Sequence, residues 1–113
     1  MTDESPGSGP WIGVDLDGTL AHYDPTKGAD HIGAPVPIMA ARLNRWLSEG
    51  RQVRIFTARA SVPELVKPVE DWCEHHFGVR LTVTNQKDFG MVELWDDRCV
   101  QVYPNTGQPV ARL

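Results

Sequence analysis

Little in this 113-residue chain is suited to crosslinking or to a bilayer. It has only two cysteines, Cys73 and Cys99, without CxxC spacing, so neither a zinc site nor a disulfide framework is indicated. Both read as small buried hydrophobes in a reducing compartment. No apolar run approaches the roughly 20 residues that span a membrane. The opening MTDESPGSGP lacks the basic start and apolar centre of a signal peptide, so a cytoplasmic location is expected. The formal net charge is -4, from 11 basic and 15 acidic residues. The clustered Lys and Arg of a long nucleic-acid footprint are missing, whereas an acidic balance suits a site that gathers carboxylates around a divalent cation. Repeats, low-complexity segments and linkers are also missing. The length fits one domain, with residues 1-10 expected as a flexible tail and 11-113 as the folded unit.

What is present is concentrated early, in Val14-Asp15-Leu16-Asp17-Gly18-Thr19-Leu20. If the apolar run Trp11 to Leu16 is a strand, Asp15 and Asp17 share a face while Leu16 points to the core. Two carboxylates held together require a cation between them or a proton on one of them. The run shows no clean alternation, as expected of a strand covered on both faces in a parallel sheet. Thr19 to Pro35 is rich in Gly, Pro, Asp and His and has no helical period. Its departure directly from the aspartates marks it as a flap over a site, carrying His22, Tyr23 and Asp24.

Val36, Met39, Ala40, Leu43, Trp46 and Leu47 recur at helical spacing, bounded by Pro37 and Gly50. A second strand, Arg51 to Thr57, follows. A second helix carries Val62, Leu65, Val66, Val69, Trp72, Cys73 and His76 on one face, with Ser61 as N-cap, Pro63 in the first turn and Gly78 as its stop. Pro68 should kink or break it. Three further strands are predicted at Leu81 to Thr84, Val92 to Trp95 and Cys99 to Val102. Alternating strands and helices imply an α/β, doubly wound, three-layer Rossmann-like parallel sheet of about five strands. Ligands of such sheets bind beyond the carboxyl ends of the strands. Asp15, Asp17, Thr57, Lys87, Asp96 and Asp97 all fall at or just after those ends.

Four carboxylates, a hydroxyl and an ammonium match the needs of phosphoryl transfer: an oxygen-rich metal site, a nucleophile, a proton donor and groups for phosphate oxygens. Asp15-Leu16-Asp17-Gly18-Thr19, Thr57, Lys87 and Asp96-Asp97 resemble, in order, the four motifs of the haloacid dehalogenase-like hydrolase superfamily, mostly magnesium-dependent phosphatases. The resemblance spans Trp11 to about Val102. The short intervals from Asp17 to Thr57 and from Thr57 to Lys87 hold no separate cap domain, as in capless members. It implies a phosphate monoester hydrolase in which Asp15 attacks phosphorus to form an aspartyl-phosphate, and Asp17 protonates the leaving oxygen and then activates water. It further implies that Gly18, Thr57 and Lys87 serve the phosphate. Asp96, the Asp15 carboxylate and the Asp17 backbone carbonyl would hold Mg2+, with Asp97 a direct or outer ligand.

Two positions depart from the family pattern. Trp95 stands where many relatives have Gly, and Lys67-Pro68 mimics a common form of the third motif. Lys67 falls inside a helix, so the strand-end rule favours Lys87. Arg59 and Arg98, directly after strand ends, and His22 in the flap are candidates for touching substrate. Adjacent positions do not face each other on a helix, so His75-His76 reads as a surface pair.

A nucleic-acid-end (3'-) phosphatase is the alternative enzyme, disfavoured by the acidic balance. A receiver domain offers similar groups in another order, with its acidic pair first and its acceptor aspartate on the third strand. A non-catalytic phosphate-binding module leaves the complete motif set unused. An open site without a cap admits a bulky phosphorylated substrate, or is closed by a second subunit of a homo-oligomer.

Overall fold

The structure is a computed structural model that describes residues 9-111. All but the last two residues of the tail expected over 1-10 lie outside that range.

Four strands form one sheet: β1 (Trp11–Val14), β2 (Val53–Phe56), β3 (Thr82–Thr84) and β4 (Met91–Trp95). Their order is β3-β2-β1-β4, and every pairing is parallel. Two helices, α1 (Pro37–Ser48) and α2 (Pro63–Phe77), make the β1-α1-β2 and β2-α2-β3 crossovers. Each helix opens on proline, which has no N–H to leave unsatisfied there. α2 ends on Gly78 at φ 78°, a left-handed cap that glycine adopts without strain.

Alternation along the strands separates the two sheet faces. Ile12, Val14, Val53 and Ile55 join Leu16, Leu20, Met39, Leu43, Val69 and Cys73 in one buried cluster, so both helices cover the same face. Burial of each large aliphatic side chain there contributes about 1.5–3 kcal/mol.

The opposite face is covered differently. Trp11 is fully buried there, and a Cβ on Gly13 would lie 3.1 Å from its ring. Arg54, only 6% exposed, stacks 4.3 Å from the Trp11 ring centroid. A buried cation needs partners: Arg54 bonds Gln52 and sits 3.3 Å from Asp88, which also accepts from Trp11 Nε1 at 2.7 Å. Asp88 therefore ties the 85-90 connection onto this face on its way from β3 to β4.

Four expectations require correction. The sheet has four strands, not five: Cys99 to Val102 forms none, and Val102 pairs only with Pro109 in an isolated antiparallel bridge. Pro68 does not break α2, which continues to Phe77; Val69 and Cys73, later in the helix, are buried and hold it to the sheet. Val62, not Ser61, caps α2; Ser61 closes a short 3-10 turn (Ala58–Ser61) and donates to the Ala58 carbonyl. Cysteine burial is right for Cys73, whose thiol is pushed up to about 12 by desolvation, but Cys99 is exposed. Among the described residues, no helix is long and apolar enough to cross a membrane.

Candidate functional site

β1 delivers Asp15 and Asp17 at its carboxyl end, and a tight turn reverses the chain behind them. Gly18 sits at φ +91°, a conformation that favours glycine, and a Cβ there would lie 2.6 Å from Asp97 Oδ2 and push that carboxylate aside. The N–H groups of Gly18, Thr19, Leu20 and Ala21 are spent within the turn, on Ala21, Leu16 and Asp15 carbonyls. Thr19 fastens this turn to the end of β4: its hydroxyl oxygen accepts from Asp97 N at 3.0 Å and lies 3.1 Å from Asp97 Oδ1 and 3.4 Å from Asp15 Oδ2.

The two β1 carboxylates then part company. Asp15 joins Asp96 and Asp97, and the three offer oxygens all within 4.8 Å of one another. Burial, a hydrogen bond with Asp97 and the charges of Asp96 and Asp97 push the Asp15 carboxyl up to about 7. The same hydrogen bond holds Asp97 below its ordinary value. Asp15 and Asp97 are thus pushed in opposite directions by one contact.

Asp17 instead receives a bidentate fork from Arg59, Nε to Oδ2 at 2.7 Å and Nη2 to Oδ1 at 2.9 Å. The Arg59 side chain is 11% exposed and that of Asp17 26%. The hydrogen bonds to Asp17 raise the Arg59 pKa. Arg59 also donates to the His31 carbonyl at 2.8 Å and to the Ala29 carbonyl. The segment expected as a flap is accordingly a pinned loop. Its neck is closed by the Ala21–Pro35 bridge and by His22 N to Ala34 O at 2.9 Å, and Trp72 Nε1 holds its far side through Gly33 O at 3.0 Å.

Thr57 is 3% exposed; its N–H bonds Thr84 O at 2.9 Å and its hydroxyl accepts from Arg59 N. A cavity of about 480 Å³ at the strand ends is lined by Thr57, Asp15, Asp17, Asp96, Asp97 and Arg98, with Asn85, Tyr23 and the Phe56–Ala58 backbone turn beside them. Arg98, expected as a candidate for touching substrate, is among the lining residues.

Lys87 does not line this cavity. It lines a groove along β4 with Leu94, Trp95 and Val100, because the 85-90 connection turns onto the Trp11 face. Lys67 is an exposed helix residue paired with Asp71 at 2.9 Å. Asn85, which sequence reasoning missed, is the residue after β3 that reaches the cavity; its position directly behind the strand was the available signal. Thr19 was visible only as a motif letter.

No protein-family model, no curated protein and no solved structure matches this chain. What the arrangement can do must therefore be argued from its chemistry. Three carboxylates form an all-oxygen donor set, which suits a hard divalent cation such as Mg2+. Burial first, and then the neighbouring carboxylates, raise Asp15, and a cation among the three would oppose the contribution of those neighbours.

A thermal consequence follows. The Asp15 carboxyl is raised on folding from 3.8 to about 7, so its contribution to stability is complete below pH 3.8 and is lost as pH rises through 7. A divalent cation held by the three carboxylates would compete with that proton. The Tm increase on adding MgCl2 to the metal-free protein is therefore expected to be larger at pH 8 than at pH 5, the underlying stabilisation approaching about 2.7 kcal/mol at a hundredfold excess over Kd. Scanning calorimetry at both pH values measures it; an equal or larger shift at pH 5 would count against cation binding at this cluster.

Proposed function

We propose that the chain is a Mg2+-dependent phosphatase that hydrolyses a phosphate monoester through an aspartyl-phosphate on Asp15, as members of the haloacid dehalogenase-like superfamily do. The observation that carries this reading is the division of labour at the end of β1. One carboxylate lies in an acidic triad and the other is held apart by an arginine, both facing one cavity.

Asp15, Asp96 and Asp97 would hold Mg2+, together with the Asp17 backbone carbonyl, and the ion would offset charge on the carboxylates and on the phosphoryl group. An Asp15 oxygen attacks phosphorus in line and expels the leaving oxygen, which takes a proton from Asp17. Asp17 then removes a proton from water as that water attacks the aspartyl-phosphate, releasing inorganic phosphate and restoring Asp15. Both Asp17 oxygens accept from Arg59, so acting as the acid requires Asp17 to release one of those contacts and carry a proton on the freed oxygen, which it gives to the leaving oxygen and takes back from the attacking water. Thr57, Asn85 and Arg98 line the same cavity and would donate to the phosphoryl oxygens. Lys87 belongs to this proposal only if its loop carries it out of the β4 groove.

A doubly wound, three-layer form of the sheet is part of the same reading. It requires a helix on the Trp11–Arg54 face, where the described residues place the 85-90 connection. The open cavity suits a bulky phosphorylated substrate, a nucleic-acid 3'-end being the alternative, in a cytoplasmic protein.

Phosphate release from p-nitrophenyl phosphate tests the proposal. Turnover is expected with Mg2+ and none in EDTA; equal turnover in both would exclude a metal-assisted mechanism.

A further inference from the structure

Beside the acidic cavity, and sharing Asp17 and Tyr23 with it, lies a second hollow of about 250 Å³ under the pinned loop, lined also by His22, Asp24, Lys27, His31 and Arg59. We infer that this hollow is a subsite for a second anionic group of the substrate, carried on the leaving-group side of the scissile phosphate; the inference rests on the phosphatase reading above.

Its position follows from the chemistry. The group that protonates the leaving oxygen must face the leaving group, and Asp17 is the wall common to both hollows. The remainder of the substrate therefore passes Asp17 into the loop hollow.

Its preference follows from which charges there are already satisfied. Asp17 is neutralised by the Arg59 fork. Asp24 Oδ1 accepts from both the N–H and the hydroxyl of Thr26, and His31 lies close enough to help keep its carboxyl ionised. Among the described residues, the side chains of Lys27 and His22 make no hydrogen bond or ion pair. With the Tyr23 hydroxyl they line the hollow as groups able to donate, beside the cavity that would hold the phosphate. In a protein of net charge -4, a local excess of free donors is the feature that would admit a substrate with two anionic groups.

The second anion can come from a carboxylated metabolite or from a nucleotide phosphate, and matched pairs separate these sources. We expect kcat/KM to be at least about tenfold higher for 3-phosphoglycerate than for glycerol 3-phosphate, or for thymidine 3',5'-bisphosphate than for thymidine 3'-phosphate. The difference should be carried by KM and collapse toward unity in the Lys27→Ala/His22→Ala double variant. Preference in either pair identifies the source. Preference in neither, with p-nitrophenyl phosphate turned over, overturns the subsite and leaves the phosphatase intact.

A second measurement is independent of turnover. Titrating the metal-free protein with thymidine 3',5'-bisphosphate and with 3-phosphoglycerate should move the imidazole NMR signals of His22 and His31 and leave those of His75 and His76, on α2, in place. If no ligand moves the His22 and His31 signals, or if all four histidines move alike, the subsite is refuted whether or not the protein hydrolyses phosphate esters.

Discussion

Asp15→Asn is expected to lower kcat for phosphate-ester hydrolysis by at least roughly 10⁴-fold, the scale on which loss of a covalent nucleophile is felt, and at the same time to stabilise the metal-free protein. The two effects share one cause. Asp15 is partly buried against Asp96 and Asp97, and its carboxyl is pushed up to about 7 by desolvation and by those neighbours. Asparagine has nearly the same shape and carries no charge, and its amide can donate to Asp97 where the carboxyl had to keep a proton. Above pH 7 the wild-type cluster must hold three carboxylates together; the variant holds two. The Tm of the metal-free variant should therefore exceed that of wild type at pH 8, at about 4–8 °C for each kcal/mol of repulsion relieved in a domain of this size. The gain should shrink at pH 5, where Asp15 is protonated anyway. The variant should also lose most of the Mg2+-dependent rise in Tm. An active Asp15→Asn enzyme would end the covalent mechanism, and a variant less stable than wild type at pH 8 would show that the cluster is not strained by charge.

Such an exchange of stability for reactivity is expected where function keeps like charges together. Asp15, Asp17 and Gly18 are fixed by local rules: strand alternation, a turn that needs positive φ, and a strand end. Thr57, Asp96 and Asp97 follow from the strand-end rule once β2 and β4 are recognised, and the structure brings all of them to one cavity.

What the sequence could not reveal depends on contacts distant along the chain. Lys87 obeys the strand-end rule yet lines another groove, because Asp88 beside it is recruited by Trp11 and by a buried arginine 34 residues earlier. The fifth strand failed for a related reason: Cys99 to Val102 has strand-like residues but no neighbouring strand to pair with along its length. Pairing of Asp15 with Asp17 was the natural inference from alternation. The structure instead gives each a separate partner set, and the one that separates them, Arg59, lies 42 residues from Asp17.

Arg59 is therefore the residue whose loss should disturb the most. Its guanidinium bonds both Asp17 oxygens and the carbonyls of Ala29 and His31, so Arg59→Ala removes the support of the acid–base carboxylate and the latch of the loop in one change. Breaking a fully buried pair costs about 3–5 kcal/mol; Asp17 is 26% exposed and regains some hydration, so roughly 2–3 kcal/mol is expected here. Misplacing Asp17 and the loop should lower kcat/KM by about 10²-fold, the cost of ångström-scale misalignment. Arg59→Lys keeps the charge but cannot span two carboxylate oxygens and two carbonyls with one ammonium, so it should recover solubility and net charge without recovering activity. Limited proteolysis distinguishes the latch from simple charge balance. Cleavage within residues 22-34 should accelerate in both variants, while α2, held by Val69 and Cys73 in the core, stays protected. If Arg59→Ala keeps the wild-type Tm and the loop keeps its resistance, the fork is ornamental, and Asp17 is positioned by the β1 turn alone.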